Sequence, residues 1–308
     1  MSRKLFIIYL RPHAARGTVA MRAVQLAEIL NRAPSAGIEA HLVPLPRMSS
    51  GIQHEAVAEL TGGVVLLNKS ATNLLSLQAV EVLARNNHAI LADWIDRDVD
   101  SPYLHMIDQH IASSRTQYRH LCAGFPTGAV SYVAHHADLR LEQLNFKPLP
   151  DLRPLFLGHR RYLPRRPRIN QQLTIEFVKT EQDFLRFLPR LPEFNLHYNV
   201  RPGEQDTPGG IAKPLTKAFV AANCQSNVVM RRDTDDALDH LPADYPYFVE
   251  GDEPEQIRAV LDQARDDFGG PRWRYGLDAM EAVAAAVHPA RIAEQMSLAM
   301  DQAMARQR

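Results

Sequence analysis

Along the first third of the chain, short apolar runs alternate with amphipathic segments of helical period. This alternation constrains the fold more than any other feature. Leu5–Leu10 reads as a buried strand, and further strands follow at Ile38–Val43, Gly63–Leu67, Ala89–Ala92, Gln109–Ala112 and Ala129–Val133. Helical patterns fit between most of them; Val19, Ala23, Leu26 and Leu30, for example, recur on one face. Strand, helix and strand in succession imply parallel strands joined by crossovers, an α/β layer.

The pattern breaks near residues 147–170, where KPLPDLRP and HRRYLPRRPR are rich in proline and arginine and carry no period. They read as a linker and an exposed loop. Strands then resume at Leu173–Val178, Phe194–Val200, Asn227–Met230 and Tyr247–Val249, again with helices between them. Two long helical patterns close the chain, Trp273–Val287 and Pro289–Ala305. In the last, Ile292, Met296 and Met300 form an apolar stripe that must be buried, and the expected partner is the first domain. The expected domains are therefore 1–148 with 289–308, and 149–288. No repeat of solenoid spacing and no low-complexity tract interrupts them.

Composition narrows the function classes. The 308 residues suffice for two domains with cores of their own. The 35 basic and 35 acidic residues cancel, which argues against a general nucleic-acid binder and makes any anion site a local one. Two cysteines, Cys122 and Cys224, are too few for a disulfide scaffold and fit a reducing compartment. The apolar run near the start is too short for a signal-peptide core, and no run approaches a membrane span, so a cytoplasmic location is expected.

Chemistry concentrates in a few places. Between Phe194 and Met230 a strand ends near Val200–Arg201, a glycine-containing loop follows, and a helix is expected to open at Lys213–Pro214. Arg201, Lys213, Thr216 and Lys217 would there meet a phosphate-sized anion at a helix N-terminus. Only six basic residues are lysine against 29 arginines, yet both cations of KPLTK are lysine. That suggests a site wanting compact ammonium groups, with a solvated helix face as the plain alternative. The loop RPHAARG, after the first strand, offers Arg11, His13, Arg16 and Gly17, with a surface loop whose Gly17 merely opens the helix as the plain alternative. His13 can serve as a general base, its neutral form favoured by the flanking arginines. Asp93 and Asp96 are alternatives from the same rim, though either could simply cap a helix. Of the thirteen histidines, His135 and His136 point to opposite faces of an extended chain, and His105 and His110 miss the spacing of a helical zinc pair, so no metal is expected. His136 or Asp138 is instead a candidate for lining a cleft between domains, with solvent-facing linker residues as the plain alternative. The run Arg160, Arg161, Arg165, Arg166 and Arg168 reads most simply as a solvated loop, and more sharply as a contact for anionic lipid.

Three segments carry a resemblance. AKPLTKAFVAANCQSNVVM resembles the donor-binding segment of GT-B-fold glycosyltransferases; ILADWIDRD, DQHIASSRTQYRHL and VSYVAHHADLRL resemble the end of their acceptor-side domain; the terminal helices resemble the pair that crosses back to the first domain. The resemblance implies two Rossmann-like domains facing a cleft. It also implies a transferase moving a sugar from a nucleotide-sugar donor to a glycan, lipid-linked or other hydroxyl acceptor. No cofactor and no metal is implied, because lysine and arginine stabilise the leaving diphosphate. On this reading Arg201, Lys213, Thr216, Lys217 and Gly17 bind the donor, Arg11, Arg16 and His136 bind the acceptor, and His13, Asp93 or Asp96 acts in catalysis. The sequence departs from the family's paired glutamates, with Lys217 at the second position and Gly209 at the first. Two rivals follow: a nucleotide-sugar epimerase or hydrolase on the same fold, and a two-lobed binding protein without turnover.

Overall fold

The computed structural model describes residues 2–46, 50–72, 74–96, 99–163, 166–200 and 212–306, with the backbone alone over 50–52. The chain divides into two compact units. One comprises Met1–His135, Ile211–Pro214 and Pro289–Arg308, the other His136–Gly210 and Leu215–His288. The boundary thus falls at His135, ahead of the proline-rich stretch expected to hold it. Among the described residues, no helix is long and apolar enough to cross a membrane.

The first unit holds strands β1 (Arg3–Leu10), β2 (Ile38–Leu45), β3 (Val64–Leu67), β4 (Ala89–Asp93), β5 (Gln109–Ala112) and β6 (Val130–Tyr132). They form one sheet in the order β2-β1-β3-β4-β5-β6, with every neighbouring pair parallel. Every residue of β3 and β4 is buried, as a sheet covered on both faces requires. Pro44 is accommodated because β2 is an edge strand.

A continuous helix over 17–32 buries Val19, Ala23, Leu26 and Leu30. Its middle, Ala20–Gln25, is wound as a π-helix and carries Arg22, whose side chain has no exposed surface. Arg22 Nε donates to Asp93 Oδ2 at 2.8 Å, and Nη1 donates to the Ala134 carbonyl at 2.9 Å. The final helix, Pro289–Arg306, buries Ile292, Met296 and Met300 and packs on β4, β5 and β6. Polar contacts fix its register: Gln302 Oε1 accepts from Ser131 Oγ at 2.6 Å, and Gln295 Oε1 accepts from the Ala134 amide at 2.9 Å.

The second unit holds β7 (Pro154–Gly158), β8 (Thr174–Phe177), β9 (Leu196–Asn199), β10 (Asn227–Arg231) and β11 (Phe248–Val249). The order is β11-β10-β9-β7-β8, again all parallel. Counted from its own first strand, this is the 2-1-3-4-5 order with which the first sheet also begins. β7 corrects the sequence reading, which took this segment for linker. Only Leu155, Phe156 and Leu157 are apolar there, between Pro154 and Gly158, so no period marks the strand; pairing with β8 and β9 on its two sides makes it one.

A second correction concerns the helix after β9. It spans Thr216–Asn223, so Lys213 and Pro214 precede it rather than open it. Gly276, in the helix Pro271–Ala286, lets that helix approach β10: a Cβ there would strike the Asn227 side chain. Asn227 is fully buried, with Nδ2 donating to the Trp273 carbonyl at 3.2 Å and Oδ1 accepting from Tyr245 Oη at 3.2 Å.

Among the buried histidines, His110 in the first unit and His197 in the second have lowered pKa values. His110 Nδ1 accepts from Trp94 Nε1 at 3.0 Å, and its ring lies 3.9 Å from that of Phe125. Burial, with the charge of Arg306, lowers its pKa to about 4. His197 in β9 is likewise lowered to about 4, by burial and then by the charge of Lys217.

Two predictions follow from this packing. Asp93→Asn leaves Arg22 buried without its counter-charge and should cost about 3–5 kcal/mol in urea unfolding. Arg22→Met combined with Asp93→Leu should cost clearly less; equal losses would mean that the charges themselves matter little. The histidines set a pH dependence. Unfolded, each takes a proton near pH 6.5, whereas folded it stays neutral down to about 4. The unfolded chain thus binds more protons inside that window, and stability falls as pH drops through it. The double replacement His110→Gln, His197→Gln should flatten this slope, measured as unfolding free energy from pH 7 to 4.5.

Candidate functional site

In an open parallel sheet, ligands lie beyond the carboxyl ends of the strands, where successive connections leave to opposite faces. The two strand orders put that point beside β1 and β3 in one unit, and beside β7 and β9 in the other.

In the first unit, β1 runs into a turn at Arg11–His13, and the helix opens at Gly17. The end of β1 is tied to the loop after β3, since the Leu10 amide donates to Ser70 Oγ at 3.0 Å. Between them lies a pocket of about 140 Å³ lined by His13, Arg16, Thr18, Asn68, Lys69 and Ser70. The structure therefore brings His13 and Arg16 together. It adds Asn68 and Lys69, which no motif in the sequence singles out. Arg11 and Gly17 are exposed beside the turn and do not line the pocket.

The two aspartates part ways. Asp96 sits at φ +50°, with its carboxylate 3.5 Å from Lys69 Nζ, at the pocket's edge. Asp93 has no exposed surface: Arg22 occupies Oδ2, and Oδ1 accepts from the Ile95 amide at 3.3 Å. A proton acceptor there would be reached only by displacing Arg22. His136 is also fully buried, so it presents no surface to an acceptor. Asp138 caps the next turn and is ion-paired with Arg140, which also pairs with Glu181.

In the second unit, β7 ends at Gly158. A Cβ at this position would lie only 3.0 Å from Lys217 Nζ, so the missing side chain makes room for the ammonium group. Lys217 stands in the first turn of the helix Thr216–Asn223. Its Nζ lies 5.1 Å from the Phe156 ring centroid and 6.0 Å from that of Tyr162. The ammonium thus sits at the strand end, over aromatic faces and beside a helix N-terminus. Behind it, Leu155, Leu157, His197, Asn199 and Val220 enclose a cavity of about 50 Å³. Among the described residues, His197 Nε2 and Asn199 Oδ1 are buried there without a hydrogen-bond partner.

The basic run leaves directly from this strand end. Arg160 and Arg161 lie in the turn Arg160–Tyr162; Arg161 stacks on Tyr162 at 4.6 Å and donates to its hydroxyl at 2.6 Å. Arg166 donates to the Asp252 carbonyl, and Arg168 is exposed in the short helix Pro167–Asn170. Arg165 and Arg201 lie outside the described residues, as does Gly209. A sequence signal for this site did exist: both FIIYLRPH and LFLGHRR end an apolar run in arginine and histidine. The brevity of the second run hid it.

A larger cavity, about 710 Å³, lies at the amino ends of β9 and β10, lined by Phe194, Cys224, Phe268, Trp273, Met280 and neighbours. Among the described residues its lining is mainly apolar, and its charged groups are Lys147, Asp278 and Glu281, with acidic groups in excess. It lies at the opposite end of the strands from Lys217, so the smaller strand-end sites are the better candidates for an anionic ligand.

No protein-family model and no curated protein matches the sequence. Solved structures do match the fold. AviGT4, a glycosyltransferase involved in avilamycin A biosynthesis, superposes with a TM-score of 0.64 at 13% identity, over 98% of each chain. The sucrose-phosphate synthase of Thermosynechococcus elongatus gives 0.64 at 15%, over 98% of this chain and 99% of that one. HepE of Anabaena, in complex with UDP-glucose, gives 0.59 at 12%, over 96% and 98%. At such identities the likeness is one of architecture, and in architecture the chain has the fold of the GT-B glycosyltransferases.

Proposed function

We propose that the chain transfers a sugar from a nucleotide-sugar donor to a hydroxyl acceptor. The observation that carries this reading is the Lys217 ammonium seated on Gly158 at the carboxyl end of β7. A compact cation at the switch point of a parallel sheet, beside a helix N-terminus, suits a diphosphate. The fold shared with a UDP-glucose-bound structure supports a nucleotide sugar as the source of that diphosphate.

In the reaction, the bond from the anomeric carbon to the diphosphate oxygen breaks, and a bond to the acceptor oxygen forms. Negative charge grows on the diphosphate. Lys217, with Thr216 and the arginines that follow β7, meets that charge in place of a divalent ion. Lys213 and Arg201 are further donor contacts in this reading, and the amide of Gly17 serves the same end of the first sheet. The acceptor hydroxyl loses its proton to His13, which lines the pocket after β1. Asp96 is the reserve base; Arg11 and Arg16 orient the acceptor.

A panel of UDP-, GDP-, ADP- and CMP-sugars, with nucleotide release measured with and without acceptors, separates the readings. Release that depends on an acceptor supports transfer, release without one indicates a hydrolase, and binding without release indicates a sensor. Lys217→Ala should weaken nucleotide binding by about 1.5–3 kcal/mol in calorimetry, the scale of a hydrogen bond to a charged group. Unchanged affinity there would move the diphosphate elsewhere. His13→Ala should slow turnover by about 10²–10⁴-fold while donor affinity stays constant. Near-wild-type turnover would pass the role of base to Asp96.

A further inference from the structure

The cavity at the amino ends of β9 and β10 takes no part in the proposed transfer, yet it has the dimensions of a ligand site. Its volume is about 710 Å³, within the roughly 300–1,000 Å³ of small-molecule pockets. Its lining residues all belong to the second unit, so one compact unit builds it. Trp273, Leu277, Met280 and Ala284 recur at helical spacing along one stripe of the helix Pro271–Ala286, and Phe194 and Phe268 join them in the lining. Close-packed interiors leave few voids larger than a water molecule. Apolar side chains around one of this size forgo contacts that a ligand restores.

The polar groups specify the charge of that ligand. Asn195 spends both side-chain groups on the backbone, Nδ2 donating to the Asp151 carbonyl at 2.9 Å and Oδ1 accepting from the Arg153 amide at 2.8 Å. Asp278 and Glu281 line the cavity from exposed positions, and among the described residues neither enters an ion pair. Lys147, ahead of β7, offsets one of these two charges. The carboxyl end of the helix Thr216–Asn223 adds to the negative side, since Ala222, Asn223 and Cys224 line the cavity where the helix dipole is negative. The interior therefore suits an apolar body, and the rim suits a positive charge.

We infer that this cavity is a separate binding site for an amphipathic organic cation, an amine on an aliphatic or aromatic body. The site needs neither Lys217 nor a nucleotide, so it stands or falls apart from the transferase reading.

Calorimetric titrations of the full chain at pH 7 with decylamine, decanol and decanoate test this, since the three share an apolar body and differ in charge. Decylamine should bind about tenfold more tightly than decanoate, with decanol between them. Asp278→Asn combined with Glu281→Gln, both at exposed positions, should erase the preference for the amine and leave decanol affinity unchanged. Ala284→Phe, which fills the cavity from a half-buried position, should abolish binding of all three with an unchanged melting profile. Should that variant unfold, Trp273 reports instead: decylamine should shift the indole emission of the wild type and not that of Trp273→Phe. Binding of none of the three, undiminished binding in a folded Ala284→Phe, or an emission shift that survives in Trp273→Phe overturns the site. A preference for decanoate, or one for the amine that survives loss of both carboxylates, overturns the cation. Displacement of decylamine by UDP overturns the ligand class, because the cavity then serves the nucleotide.

Discussion

Two parallel strands cannot be joined by a tight turn; the chain must cross over one face of the sheet to return. In both sheets the second strand lies on one side of the first and the third on the other, so the crossovers leave to opposite faces. The loops after β1, β3, β7 and β9 are thereby parted, and the side chains they carry are left around an opening. His13 and Asn68 meet at one such opening, Gly158 and Lys217 at the other. Neither pairing depends on closeness in sequence: both follow from strand order.

The cores beneath the openings are apolar with a few enclosed polar groups. Arg22 spans from the first helix to Asp93 at the end of β4 and to the Ala134 carbonyl, tying three segments of the first unit together. In the second unit, burial keeps His197 neutral beside Lys217, so among the described residues lining that small cavity the ammonium carries the charge. A charged imidazole there would oppose binding of Lys217's own charge at the strand end, and burial prevents it.

The first sheet was legible in the sequence because its strands are long apolar runs set between amphipathic helices; all six expected strands overlap observed ones. Proximity of His13 and Arg16 was legible for the same reason, since an unmistakable strand precedes their loop. Lys217 stood out through the rarity of lysine. What it stands on did not: β7 offers three apolar residues between prolines and a basic run, and its strand character comes from neighbours far away in sequence. Asp93 and His136 looked like rim residues because sequence position cannot reveal burial, and the partner that claims Asp93 lies 71 residues away. Asn68 and Lys69 follow a short strand in an unremarkable polar stretch. Only the pairing of β3 with β1 gives them a role.

If the end of the second sheet is the donor site, a crystal structure of the chain grown with UDP decides the matter directly. The diphosphate should lie at the carboxyl end of β7, within hydrogen-bond reach of Lys217 Nζ and against the bare Cα of Gly158. Density for the nucleotide in the apolar cavity beside Trp273, at the other end of the strands, would contradict this placement and with it the proposed route of sugar transfer.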